Sequence, residues 1–218
     1  MKRYFIGMIV LLIIGAVICG GGAMMYSQSD NRIFEKDLEY TEKEYVAQSQ
    51  INAIDFSLSG NYNFILQKGD NCSISYSESE ISQITVSETD GILKLREKIK
   101  WTKIISSWYH KQPKTDLILT LPEYVVLSMR CHFSGMVTLD LPEWEFGNID
   151  MKISGAATIA SNTFIKANDV NFDVSGTCSA NIKGELDNLD VKVSGASEMA
   201  FDGSAQSINM KSSGATTF

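Results

Sequence analysis

A Ser-Gly pair at the end of an alternating apolar run recurs through the second half of the chain. That recurrence constrains the fold more than any other feature. The phrases are FSGMVTL, ISGAATI, VSGTCSA, VSGASEM and SSGATTF, with glycines at Gly135, Gly155, Gly176, Gly195 and Gly214. Successive glycines lie 20, 21, 19 and 19 residues apart. A sixth copy, LSGNYNF, stands far upstream around Gly60. A unit of about 20 residues cannot bury an apolar face alone, so neighbouring copies must stack to make a core.

The residues six, four and two places before each glycine are apolar: Met129, Cys131, Phe133; Ile149, Met151, Ile153; Val170, Phe172, Val174; Leu189, Val191, Val193; and Ile208, Met210, with Ser212 the exception. Polar residues alternate with them, such as Asp150 and Lys152 or Asn171 and Asp173. Period two describes a strand with one buried face. The fourth residue after each glycine is Leu139, Ile159, Ala180, Met199 or Phe218, so a second short strand follows the turn. The glycine is expected to supply the bend through a positive φ, and the serine to hydrogen-bond local backbone at the corner. Asn148, Asn168 and Asn188, with Ser207 in the last copy, suggest a second corner with stacked asparagines. Fixed phase across five copies predicts an all-β fold, a single-stranded β-helix or solenoid with ~20-residue coils and parallel strands about 4.8 Å apart. A sandwich of hairpins is the alternative.

Upstream, INAIDFSLSGNYNFILQKGD reads as one more coil. Two alternating strands then meet at a turn at Asp90-Gly91, and KTDLILTLPEYVVLSM supplies another strand. Between them, WTKIISSWYHKQPK breaks the pattern and sets Trp101, Trp108 and Tyr109 among Lys103, Lys111 and Lys114. Aromatic rings beside cations can stack on sugars, anchor a protein partner or enter a membrane interface, which makes these three the candidate binding surface. The competing reading is a loop that covers part of the stack, as terminal repeats require.

Residues 1–26 begin with Lys2 and Arg3 and continue as an uncharged apolar run from Tyr4 to Tyr26. Such a run is long enough to span a bilayer, with the positive end inside and the body outside the cytoplasm. The reading is an N-terminal membrane anchor, single-pass in the cell membrane, with a cleaved signal peptide as the alternative at the small residues Gly21 and Ala23. Residues 27–49 are polar and charged and read as a stalk or solvated linker. Residues 50–218 form the repeat domain.

Net charge is −7, which argues against nucleic acid as a partner. Of four cysteines, Cys19 lies in the leader, and Cys72, Cys131 and Cys178 show no CxxC spacing. Cys131 and Cys178 fall on inward positions and read as small buried hydrophobes. His110 and His132 are the only histidines and have no metal-ligand partner at useful spacing. No cofactor, metal or catalytic residue is predicted. The outward row Asp150, Asn171, Asp190, Asn209, beside Lys152, Asp173, Lys192, Lys211, reads as a solvated face in which neutral groups limit like-charge contact.

The recurring SGA and SGT turns, FILQKGD, DGILKL and LTLPEYVVLSM together resemble the family described as putative auto-transporter adhesin, head GIN domain, a domain of unknown function. The resemblance covers roughly residues 50–218. It implies similarity to right-handed β-helices of bacterial envelopes and an adhesion-like role, with no catalytic or ligand residues to carry over. The auto-transporter part of the name is not expected to apply, because no segment for an outer-membrane barrel follows the repeats. The expected function is a non-enzymatic, membrane-anchored, extracytoplasmic module that binds a glycan or an envelope protein. Alternatives are an envelope sensor or scaffold contacting another membrane protein and, further off, a carbohydrate-active β-helix enzyme. The last coil, ending on inward Phe218, also raises the expectation of self-association through that end.

Overall fold

The computed structural model describes residues 39–79, 82–99, 114–161 and 163–217. The leader of residues 1–26, most of the following polar stretch, and Trp101, Trp108 and Tyr109 lie outside these residues. No described segment is helical, and the fold is all-β. Its strands are β1 Thr41–Val46, β2 Ala53–Leu58, β3 Asn61–Lys68, β4 Ser73–Glu78, β5 Ser82–Thr89, β6 Ile92–Ile99, β7 Thr115–Leu121, β8 Leu127–Phe133, β9 Met136–Asp140, β10 Glu145–Ile153, β11 Ala156–Ala160, β12 Ile165–Val174, β13 Thr177–Val193, β14 Ala196–Ser212 and β15 Thr216–Thr217.

These strands form one continuous sheet built on two parallel ladders. The first runs β6, β2, β8, β10, β12 and then the C-terminal halves of β13 and β14. The second runs β7, β3, β9, β11 and then the N-terminal halves of β13 and β14, followed by β15. β13 belongs to both: Thr177 to Asn181 pair with β11, and Gly184 to Val193 pair with β12. Parallel pairing at an offset of one repeat is incompatible with a sandwich of hairpins, whose neighbouring strands would be antiparallel.

The register places equivalent residues of successive copies on top of one another. Ile149 pairs with Val170, Val170 with Leu189, and Leu189 with Ile208. The upstream copy joins the same columns directly: Ile54, Phe56 and Leu58 pair with Met129, Cys131 and Phe133. Phe64 pairs with Leu139 in the second ladder. The core is therefore a set of apolar columns, with Phe56, Phe133 and Phe172 all essentially inaccessible. Each such side chain contributes roughly 1.5–3 kcal/mol through burial.

Both ladders end on antiparallel strands at the side of the upstream copy. β5 pairs antiparallel with β6, β4 with β7, and β1 with β4. The hairpin at Asp90-Gly91 forms as its sequence predicts, with φ of 53° and 74° at the two turn residues. That geometry matches the twist of a two-residue hairpin.

Three expectations change. The stretch read as a linker contains β1, an edge strand whose side chains are nearly all exposed. Backbone pairing with β4 holds it, so no apolar alternation marks it in the sequence. Asn168 is not on the stacked corner: Asn188 pairs with Asp169 below and Ser207 above. Finally, none of Gly60, Gly135, Gly155, Gly176, Gly195 and Gly214 has a positive φ, since only Gly91 and Gly203 do among the glycines described.

Candidate functional site

The repeat glycines are required by close approach between layers. A Cβ on Gly135 would stand 2.1 Å from the carbonyl oxygen of Gly60. On Gly155 it would stand 1.9 Å from that of Gly135, on Gly176 1.8 Å from Gly155, on Gly195 1.7 Å from Gly176 and on Gly214 2.0 Å from Gly195. No side chain fits such a gap, and hydrogen bonds run through the turns from layer to layer. The amide of Ala156 donates to the Gly135 carbonyl at 3.1 Å, and that of Thr177 to Gly155 at 3.0 Å. The preceding serines join the layers too: the amide of Ser175 donates to Ile153 at 2.8 Å and that of Ser194 to Val174 at 2.8 Å. These contacts reach the layer below and are not local to the corner.

The same motif shapes a surface groove. The residues after Gly135, Gly155, Gly176 and Gly195 are Met136, Ala156, Thr177 and Ala196, short except for the first. The next positions, Val137, Ala157 and Cys178, are buried, and Thr138, Thr158 and Ser179 follow on the outer face. Small side chains in successive layers leave a hollow of about 520 Å³ running across β3, β9, β11, β13 and β14. Lys114, whose ammonium donates to the Thr138 hydroxyl at 3.0 Å, and Glu198 are the charged residues of its walls. Thr138, Thr158 and Ser179 pair in register, so their hydroxyls repeat at the inter-strand spacing of about 4.8 Å. Sequence reading missed this groove. The signal was present in the small residues after each glycine, but only the layer register shows that they align.

A smaller recess of about 250 Å³ lies near the Trp144 corner, between Lys68, Glu123, Glu145, Phe164 and Lys166. Lys68 and Glu123 form an ion pair across it at 2.5 Å, and the buried Trp144 donates to the Val125 carbonyl at 2.7 Å.

The outward columns lie where the alternation predicts. Asp150, Asn171, Asp190 and Asn209 pair in sequence, as do Lys152, Asp173, Lys192 and Lys211. Asn209 donates to Asp190 at 2.9 Å, and Asn188 donates to Asp169 at 2.7 Å. Amides thus separate carboxylates that would otherwise repel. His132 is exposed beside Lys152. Cys131 and Cys178 are buried, and burial raises both thiol pKa values, that of Cys178 to about 11. Neither offers a thiolate at neutral pH. Among the described residues no three His, Cys, Asp or Glu side chains converge to hold a metal ion.

Stacked parallel layers with a glycine column place the molecule among repeat-built β proteins. The chain belongs to the putative auto-transporter adhesin, head GIN domain family, whose model matches residues 52–218. It is similar to a putative adhesin from Bacteroides fragilis at 15% identity, with 82% of this chain and 95% of that one covered and a TM-score of 0.40. A putative adhesin from Parabacteroides distasonis is 13% identical over 83% of this chain and 81% of that one, with a TM-score of 0.45. No curated protein matches the chain.

Proposed function

We propose that residues 50–218 form a right-handed single-stranded β-solenoid that acts as a non-enzymatic, adhesion-like binding module outside the cytoplasm. Residues 1–26 hold it to the cell membrane. Membership of the adhesin head family supports the role, and the in-register parallel ladders support the solenoid. The observation that carries the binding reading is the groove itself, which is shallow, floored by methyl groups and edged by a ladder of hydroxyls. Such a surface suits a neutral polymer with repeating hydroxyls and apolar faces, so a glycan is the ligand class to test first. Trp101, Trp108 and Tyr109 are proposed as a second contact surface.

The test applies the full chain, in detergent micelles, to an array of glycans and matrix proteins. Three chains are compared: the parent, Thr158→Arg, which fills the groove from an exposed position, and the double variant Trp101→Ala with Trp108→Ala. Saturable binding lost in Thr158→Arg, with an unchanged melting temperature, supports the groove. Binding lost only in the double variant moves the site to the aromatic segment. Absence of array binding together with capture of a membrane protein from the envelope favours the scaffold reading. Cleavage of an arrayed glycan overturns the non-enzymatic reading.

A further inference from the structure

The two ends of the stack are finished differently. At one end the outer strands β1 and β5 are antiparallel to their neighbours, and β1 carries Glu42, Lys43 and Glu44 on exposed positions. At the other end lies β14. Ile208 and Met210 occupy the columns in which Leu189 and Val191 are 4% and 1% exposed, yet they are 51% and 36% exposed. Among the described residues β15 pairs only with Ser197 and Glu198, and no strand pairs with the outer edge of β14 beyond them. An apolar column face and an open backbone edge thus coincide, a combination that invites a further strand.

We propose that a second copy of this chain covers that face, joined head to head about a two-fold axis, with the outer edge of β14 pairing antiparallel with itself around Asn209. The finish of the opposite end argues against head-to-tail stacking, because that mode would set the charged strand β1 beside β15 and the N-terminal half of β14, and would set the antiparallel β5, with Ser82 and Glu88 in the row of Ile84 and Val86, against Ile208 and Met210. Pairing of one edge with its own copy is isologous and closes at two subunits. Centred on Asn209, it sets Ile208 against Met210 twice and Ser207 against Lys211 twice, so no like charges face each other. The axis position is also the right chemical type. Layers below carry Asp190, Asp150 and Arg130 in this column, and any of these would oppose its own charge across the axis. The Asn209 amide both donates and accepts. It already donates to Asp190 at 2.9 Å, and its carbonyl oxygen serves to accept across the axis.

The test measures the molar mass of the full chain in detergent by light scattering over a range of concentrations. The parent is expected to be a dimer. Met210→Lys, which charges the edge, is expected to raise the dimer dissociation constant at least about tenfold while keeping the far-ultraviolet circular dichroism of the parent. A parent that stays monomeric at tens of micromolar, a mass above two chains, or a dimer indifferent to Met210→Lys overturns the proposal. Should Met210→Lys fail to fold, Asn209→Cys decides. This residue faces itself on the axis, so mild oxidation should give a covalent dimer well above the background of the native cysteines. Asn171→Cys, two layers down the same column, should not. Equal cross-linking of the two variants refutes the two-fold.

Discussion

The carbonyl oxygen of Gly155 lies 1.8 Å from the point where a Cβ on Gly176 would stand. One hydrogen at the α-carbon is all the space allows, and the same holds at each step of the column up to Gly214. Gly60 differs: the atoms nearest a Cβ there belong to the side chain of Tyr62, the first at 3.0 Å.

Gly176→Ala should therefore lower stability by about 3 kcal/mol or more, because two backbones must move apart. Gly60→Ala should lose no more than about 1 kcal/mol, because a side chain can shift. Urea denaturation of both variants measures the contrast. Equal losses would mean that a turn conformation, and not layer contact, selects the glycine.

Glu97 performs at the first turn what the next layer performs elsewhere. Its Oε2 accepts from the amides of Ser59 at 2.5 Å and Gly60 at 3.0 Å, while its other oxygen accepts from the Ser82 hydroxyl. Glu97→Ala should cost about 1–3 kcal/mol, and Glu97→Gln less, since one amide oxygen can still accept. Amide hydrogen exchange at Ser59 and Gly60 should speed up in Glu97→Ala. Unchanged exchange would remove Glu97 from this role.

Stability should fall at high pH. Burial pushes the thiols of Cys72 and Cys178 up to about 11. Burial, with the Glu97 carboxylate adding to it, also raises the Tyr62 phenol. A folded-state pKa above the unfolded one gives stability that is complete below the unfolded value and is lost as pH rises through the folded value. The urea midpoint should be level up to about pH 9 and decline from there through pH 11. Cys178→Ala and Tyr62→Phe should each flatten the decline. A midpoint independent of pH to 11 would contradict the assigned burial.

Asn171 lies between Asp150 and Asp190 in an outward column. Asn171→Asp should destabilise by roughly 0.5–1 kcal/mol at low salt, because like charges then face each other across neighbouring strands. Most of that loss should vanish near 1 M salt, where the screening length is about 3 Å. A loss insensitive to salt would rule out charge repulsion as its cause.

Much of this architecture is legible because period-two alternation and a fixed glycine spacing are local signals. They place Met129, Ile149, Val170 and Leu189 in one column before any coordinate is known, and Gly60 in phase with Gly135. The role of the glycine is not legible. A tight turn and a close approach both select glycine, and only the neighbouring layer distinguishes them. Asn168 misleads because the repeat from Gly155 to Gly176 is one residue longer than its predecessor, which shifts Asp169 into the column. β1 escapes notice because an exposed edge strand has no apolar face to alternate. The groove escapes because it is an absence of side-chain volume shared by residues about 20 positions apart. The aromatic segment remains a reading of composition alone.

The pairing of β2 and β3 with β8 and β9 also has a consequence in time. On the ribosome, Gly60 appears 75 residues before Gly135, a delay of roughly 4–15 s at usual elongation rates. For that interval Phe56 and Leu58 are without the neighbour that later covers them on the side of β8. β6, which begins at Ile92, less than half as far along the chain, can reach β2 sooner. The β5–β6 hairpin is then a cradle for nascent chain as well as an end to the finished stack, and synthesis order becomes part of what the early hairpin is for.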